Sequence, residues 1–254
     1  MPTRQVSVHL TPHLVEPACL RGCIAVAIDV LRATTTIVHA LAAGCVSVRP
    51  CAEIEEAKAL AASFPQGSAL LAGERGGKPL EGFELTNSPR ECTTKRCKDK
   101  TLVLTTTNGT RAILRASAAE RVLIAAFVNF SAVCEQLEPD ARPVHILCAG
   151  SAGEPCVEDT LLAGALVDFF CEAMDVHLND SARLAWDCFE NNGRVLLGTL
   201  QISEAGKRLT KDGNAADVSV CAEVDRFAIV PELRRDPCRI EVASAGIVKR
   251  HWTK

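Results

Sequence analysis

The chain has 254 residues, 48% of them hydrophobic, enough for a large core in one domain or in two tightly associated lobes. A net charge of −3 gives no strong field for nucleic acid or an anionic membrane, and 4% aromatic content without a tyrosine gives no stacking platform for bases. No apolar run is long enough to span a membrane and MPTRQVSV lacks the apolar segment of a secretion signal, so a soluble cytoplasmic protein is expected.

Alternating residues 6–10 predict a first strand, and Pro12 and Pro17 mark a loop after it. The short branched run 24–28 reads as a buried strand ending in Asp29 and Arg32, with a helix from the threonines 34–36 to a C-cap at Gly44. A short strand over 46–48 is expected to end before Pro50, and a helix with an acidic first turn covers 54–64. Leu70 and Leu71 suggest a strand edge. Residues 73–91 then show no periodicity and mix four glycines with Glu74, Arg75, Asn87 and Arg90, the composition of a working loop rather than of a regular element.

The run 101–107 is a second strand ending in hydroxyls, with Asn108-Gly109 as the turn and a helix over 110–119. A strand over 122–126 follows, then a helix capped by Ser131 and running to Leu137. Residues 144–149 form a strand ending in Cys148, Ala149 and Gly150, and Glu158 and Asp159 open an amphipathic helix whose stripe is Leu162, Leu166 and Phe169/Phe170. Beyond residue 175 the pattern is less regular. Helices are expected over 179–190, capped by Asn179 or Asp180, and over 203–209, with a helix or structured turn over 217–223. Late strands are expected over 227–230, closed by Pro231, and over 240–243. The fold class is α/β, a layered mixed or mostly parallel sheet flanked by helices. Residues 1–254 form a single unit, with a smaller C-terminal lobe from about residue 175 left open.

Thirteen cysteines, an odd number without a secretion signal, argue against a disulfide framework. Cys92 and Cys97 are too far apart for a CxxC pair and no second pair completes a zinc cluster. Cys45, Cys171 and Cys188 are expected as small core residues. The histidines at 9, 13, 39, 145, 177 and 251 show no metal-ligand spacing.

Strand, polar turn and helix start recur three times, and ligands of α/β proteins bind beyond the carboxyl ends of strands. The polar residues at those ends are Asp29, Arg32, Glu74, Arg75, Asn87, Thr106, Asn108, Gly109, Thr110, Cys148, Gly150, Glu158 and Asp159. Carboxylates hold a hard cation such as magnesium, arginines grip phosphate or sulfonate, and hydroxyls and helix-start N–H groups complete an anion site. Each residue has a plainer alternative: Asp29 as a helix cap, Arg32 as a solvated side chain, Glu158 and Asp159 as first-turn acids, Thr106 to Thr110 as an ordinary turn, and Cys148 as core filler. Walker, GxGxxG, GxSxG and HExxH motifs are missing, which leaves an α/β enzyme acting on a small anionic substrate.

Five ordered segments, AIDVLRATTTIVHAL, LAGERGGKPLEGFELTNSP, LVLTTTNGTRAI, CAG and EDTLLAGALVD, resemble the 2-phosphosulfolactate phosphatase family and cover most of residues 24–170. The resemblance implies a magnesium-dependent phosphatase that hydrolyses 2-phospho-3-sulfolactate to 3-sulfolactate and phosphate, a step associated with coenzyme M synthesis. It implies catalytic roles for Asp29, Arg32, Glu74, Arg75 and Cys148. Asn87, Ser88, Thr106, Asn108, Gly109, Thr110 and Gly150 would bind substrate, and Asp29, Glu74, Glu158 and Asp159 would bind metal. Water, Asp29 and Cys148 all stay open as the attacking group. FELTNSP departs from the family's common FDLGNSP, with Thr86 in place of glycine, which puts loop shape and substrate fit in question. The expected partner is a small phosphorylated, sulfonated or carboxylated acid, with a homodimer as the default assembly. The alternatives are a phosphatase for a different phosphorylated hydroxy acid and a non-catalytic anion-binding protein, for which several nearby carboxylates would be a handicap.

Overall fold

The computed structural model describes residues 3–243. It contains eleven strands in one mixed sheet. The strands are β1 (Arg4–His9), β2 (Ile24–Ile28), β3 (Ser47–Cys51), β4 (Ala69–Arg75), β5 (Lys78–Pro79), β6 (Thr101–Thr105), β7 (Arg121–Ala125), β8 (Val144–Cys148), β9 (Val176–Leu178), β10 (Pro231–Arg235) and β11 (Cys238–Val242). The helices are α1 (Ala33–Ala42), α2 (Ile54–Ala62), α3 (Thr94–Cys97), α4 (Gly109–Ala116), α5 (Phe130–Leu137), α6 (Val157–Ala173), α7 (Asp180–Asn192), α8 (Leu196–Ile202), α9 (Glu204–Lys211) and α10 (Ala215–Cys221). The order across the sheet is β5-β4-β6-β3-β11-β10-β7-β2-β8-β1-β9. Strands β4, β6 and β3 form one parallel block and β7, β2, β8, β1 and β9 another. The antiparallel hairpin β10–β11 stands between them. The α/β reading of the sequence therefore holds.

β2 is buried along its whole length, as expected where helices cover both faces of a parallel sheet. Its alternate residues serve two cores. Ile24, Val26 and Ile28 pack with Leu162, Leu166 and Phe170 of α6. Ala25 and Ala27 pack with Ile37 and Leu41 of α1, Ile113 of α4, and Leu102 and Leu104 of β6. Four strands lie between β6 and β2 in the sheet, yet the two share this second core, so the sheet curls around α1 and α4. That curl brings the carboxyl ends of both parallel blocks together.

Several local expectations are corrected. Pro50 does not end its strand: β3 continues to Cys51, because Pro50 needs no donor toward β11, which registers with β3 only at Val48. Residues 73–75 belong to β4 rather than to an irregular loop, and Gly76 and Gly77 turn the chain at φ 57° and 81° into β5. Ser131 lies inside α5, and its N–H and hydroxyl both donate to Asp225 instead of capping the helix. The late strand begins at Pro231 rather than stopping there, since the first residue of a strand tolerates proline. Asn179 caps α7 as expected, accepting from Ala182 N–H, and also bonds both backbone groups of Val8. All thirteen cysteines are free. Cys45 is buried, but Cys171 and Cys188 are half-exposed at the rim of the core. His251 lies outside the described residues. Among those residues, no helix is long and apolar enough to cross a membrane.

Candidate active site

The chain leaves β2 at Ile28 and enters α1 at Ala33, so Asp29 and Arg32 stand at the carboxyl edge of the sheet. Asp29 partly fulfils the role of a cap: its Oδ1 accepts from Ala33 N–H at 3.1 Å. The Thr34 hydroxyl receives the Asp29 N–H at 3.1 Å and donates back to the Asp29 carbonyl at 2.9 Å. Oδ2 has no hydrogen-bond partner among the described residues and lies against Gly109, the first residue of α4. A Cβ at Gly109 would stand 2.4 Å from that oxygen and 2.4 Å from the Ala33 Cβ, so only glycine permits this approach. Burial raises the Asp29 carboxyl to about 7. Glu74 and Glu158 push the same way, against the Ala33 N–H and Arg32.

A cavity of about 130 Å³ opens at this edge, and its walls bring together Asp29, Arg32, Glu74, Asn87 and Asn108. The stretch that begins at Gly73 therefore does reach Asp29, contributing Glu74, Gly76, Gly77 and Asn87 to the wall. The Asn87 Oδ1 is buried without a partner. Thr86, the departure from the family pattern, bonds Glu91 through both its N–H and its hydroxyl. It does not line the cavity, and its φ is not positive, so the position does not demand glycine.

The other expected residues do different work. Glu74 is fully engaged: Oε1 accepts from Thr107 N–H at 2.7 Å, and Oε2 accepts from Gly77 N–H at 2.6 Å and the Thr107 hydroxyl at 3.0 Å. Arg75 turns aside, donating to the carbonyls of Glu74 and Ala52 and to the Thr105 hydroxyl. Thr106 and Thr110 satisfy each other, with Thr106 N–H donating to the Thr110 hydroxyl and Thr110 N–H to the Thr106 hydroxyl. Asp159, in the first turn of α6, accepts from Val30 N–H at 2.8 Å and Gly150 N–H at 3.1 Å, tying the ends of β2 and β8 together. Burial, with Asp29 and Glu158 nearby, holds its carboxyl well above the usual range. Gly150 has φ 63°, and a Cβ there would meet the Glu154 carbonyl oxygen at 2.5 Å. Glu158 is buried with Oε2 unpartnered. Cys148 is packed in the α6 core, does not line the cavity, and has its thiol pushed up by burial.

Arg32 is 4% exposed, and its Nη1 donates to Asp217 Oδ2 at 2.5 Å. Ser88, expected to touch substrate, donates to Asp217 Oδ1 at 2.7 Å and so holds the acid that holds the arginine. Asp217 was not anticipated; its only signal is one carboxylate within AADVSVC of α10, where it is 1% exposed. Thr107, Ser151, Ala152 and Arg208 also line the cavity without having been singled out. Arg208 had no distinguishing signal, being one charge among several on the amphipathic α9.

The family model described as 2-phosphosulpholactate phosphatase matches residues 9–236. A protein of Synechococcus sp. (strain JA-3-3Ab) is 42% identical over 225 residues, 87% of this chain and 93% of its own. One from Gloeobacter violaceus is 41% identical over 228 residues, 89% of this chain and 94% of its own. One from Caldanaerobacter subterraneus subsp. tengcongensis is 36% identical over 209 residues, 82% and 87% of the two chains. Each of the three is named a probable 2-phosphosulfolactate phosphatase.

Proposed function

Since the chain belongs to the 2-phosphosulfolactate phosphatase family, we propose that it hydrolyses 2-phospho-3-sulfolactate to 3-sulfolactate and phosphate, with magnesium as cofactor. The observation that carries this reading is the free Oδ2 of Asp29, the one carboxylate oxygen of the cavity wall that no backbone or side-chain group occupies.

The donor set fits a hard cation. Glu158 Oε2 is buried and unpartnered, and Glu158 is near enough to Asp29 to disfavour the charge on the Asp29 carboxyl. Among the described residues, no three His, Cys, Asp or Glu side chains form a metal cluster. Asp29 and Glu158 would hold the ion, with remaining ligands from substrate and water, the usual habit of magnesium. When bound, magnesium supplies charge neutralisation for the phosphoryl oxygens.

The protein's own groups do the rest. Arg32, fixed by Asp217 and Ser88, presents a cation to the cavity in an orientation that needs no reorganisation when substrate arrives. Asn108 and Thr107 carry the polar start of α4 to the cavity, where first-turn N–H groups favour an anion. Asp29 is oriented by the Ala33 N–H on Oδ1, which leaves Oδ2 as the oxygen that would meet the metal. Cys148 is set apart from the reaction by its place in the core, which favours water over a thiol nucleophile.

Phosphate release from 2-phospho-3-sulfolactate, with and without a chelator, tests the reading. Magnesium-dependent release is expected, together with a rise in Tm on adding magnesium to the wild type that is lost in Glu158→Gln. Release that is undiminished by the chelator would remove the metal from the proposal.

A further inference from the structure

The cavity is lined by two cations with different circumstances. Arg32 is buried and bound to Asp217. Arg208, on α9, is exposed, and among the described residues it is the cavity cation with no ion-pair partner. Its Nε stands 3.9 Å from the position of a Cβ on Gly77, so the guanidinium lies against the β4–β5 turn at the mouth of the cavity. Asp212, the residue that follows α9, is equally close to Gly77, and among the ion pairs of the described residues it has none with Arg208. The next residue, Leu209, is buried and anchors this end of α9 in the core beside the cavity.

The charges do not balance for a substrate with several acids. Asp29 and Glu74 line the wall, magnesium would be taken up by the phosphoryl group, and Arg32 is already paired with Asp217, so no further cationic side chain at the inner end is left for a second anionic group. With the phosphoryl group at Asp29 and the start of α4, the other end of a small substrate points outward toward the Gly76–Gly77 turn. There the available cation is Arg208.

We infer that Arg208 is a specificity residue that selects substrates carrying a second acid, binding the carboxylate or sulfonate distal to the phosphate ester. The inference rests on the phosphatase reading and adds to it a residue and a selection rule. A guanidinium matches either acid through two parallel N–H donors, and its position on the exposed face of a helix lets it close on the ligand after entry. Because it sits away from the reacting phosphorus, its contribution belongs to binding rather than to turnover.

The test compares wild type, Arg208→Ala and Arg208→Lys on three esters: 2-phospho-3-sulfolactate, 2-phospholactate, which lacks the sulfonate, and isopropyl phosphate, which lacks both acids. Arg208→Ala is expected to raise KM for the first about 10- to 100-fold, with kcat within about twofold, and to leave KM for isopropyl phosphate unchanged. Arg208→Lys should recover part of the loss. If the loss also appears with 2-phospholactate, the carboxylate is the group bound; if it is confined to 2-phospho-3-sulfolactate, the sulfonate is. Equal loss on all three esters, or no loss on any, overturns the inference while the phosphatase reading stands. Inactivity of the wild type on every ester overturns both.

Discussion

The ends of β2 and β6 are made of the same material, an apolar strand, a polar turn and a helix start, and they use it in opposite ways. After β6, Thr106 and Thr110 exchange hydrogen bonds and close on themselves, leaving neither of these two hydroxyls for a ligand. After β2, Asp29 satisfies one oxygen locally and leaves the other to a cavity built by distant parts of the chain. The difference separates scaffold from reactive group. A polar cluster that meets its own hydrogen-bonding needs stabilises a helix start, whereas one that cannot do so is kept at a cost that function must justify. Asp159 and Asp29 repeat the contrast between two buried acids. Asp159 has both oxygens on backbone N–H groups and acts as a clamp, while Asp29 has one free.

The largest expected effect comes from removing the open oxygen. Asp29→Asn should lower kcat/KM about 10²- to 10⁴-fold while the chain still folds. The same variant gives a stability signature in metal-free protein. The folded pKa is raised from 3.8 to about 7, so the stability it contributes is complete below the unfolded value and is lost as pH rises through about 7. The Tm of Asp29→Asn should therefore gain on wild type between about pH 4 and about pH 8, and a flat difference would contradict the assigned environment. Next in size is Gly109→Ala, whose new methyl must displace Asp29 or Ala33. About 1–3 kcal/mol of stability should be lost, and most of the activity with it, as read by denaturant melts and turnover. The smallest effect on chemistry belongs to the self-contained junction. Thr110→Val should cost about 1–3 kcal/mol in the same melts and change kcat/KM by less than about threefold. A larger loss of turnover there would erase the distinction between the two strand ends.

The elements at both strand ends were legible because their signals are local. A short branched run, a polar turn and a 3.6-residue pattern each lie within a few residues, and Asp29, Arg32, Glu74, Asn87 and Asn108 could be placed on one cavity from such segments. What each acid or hydroxyl bonds to was not local. Glu74 is taken up by Thr107 and Gly77, Ser88 serves Asp217, and Arg75 faces Ala52 and Thr105, all choices made by the curl of the sheet. Asp217 and Arg208 lie on short helices late in the chain, where one charge looks like any other until α9 and α10 are packed against the site. Pro50 and Pro231 misled for a related reason: proline forbids a donor, but only the neighbouring strand decides whether that donor is needed.

The hairpin β10–β11 has a consequence for how the molecule is made. Every side chain assigned to the cavity precedes residue 218, yet the two parallel blocks that carry them are joined within the sheet only through residues 231–242. Until those residues leave the ribosome, β3 and β7 each present an unpaired edge able to recruit other chains. Among the described residues these late strands are thus the keystone of the sheet, and the nascent chain joins its two blocks only after the parts of its active centre already exist.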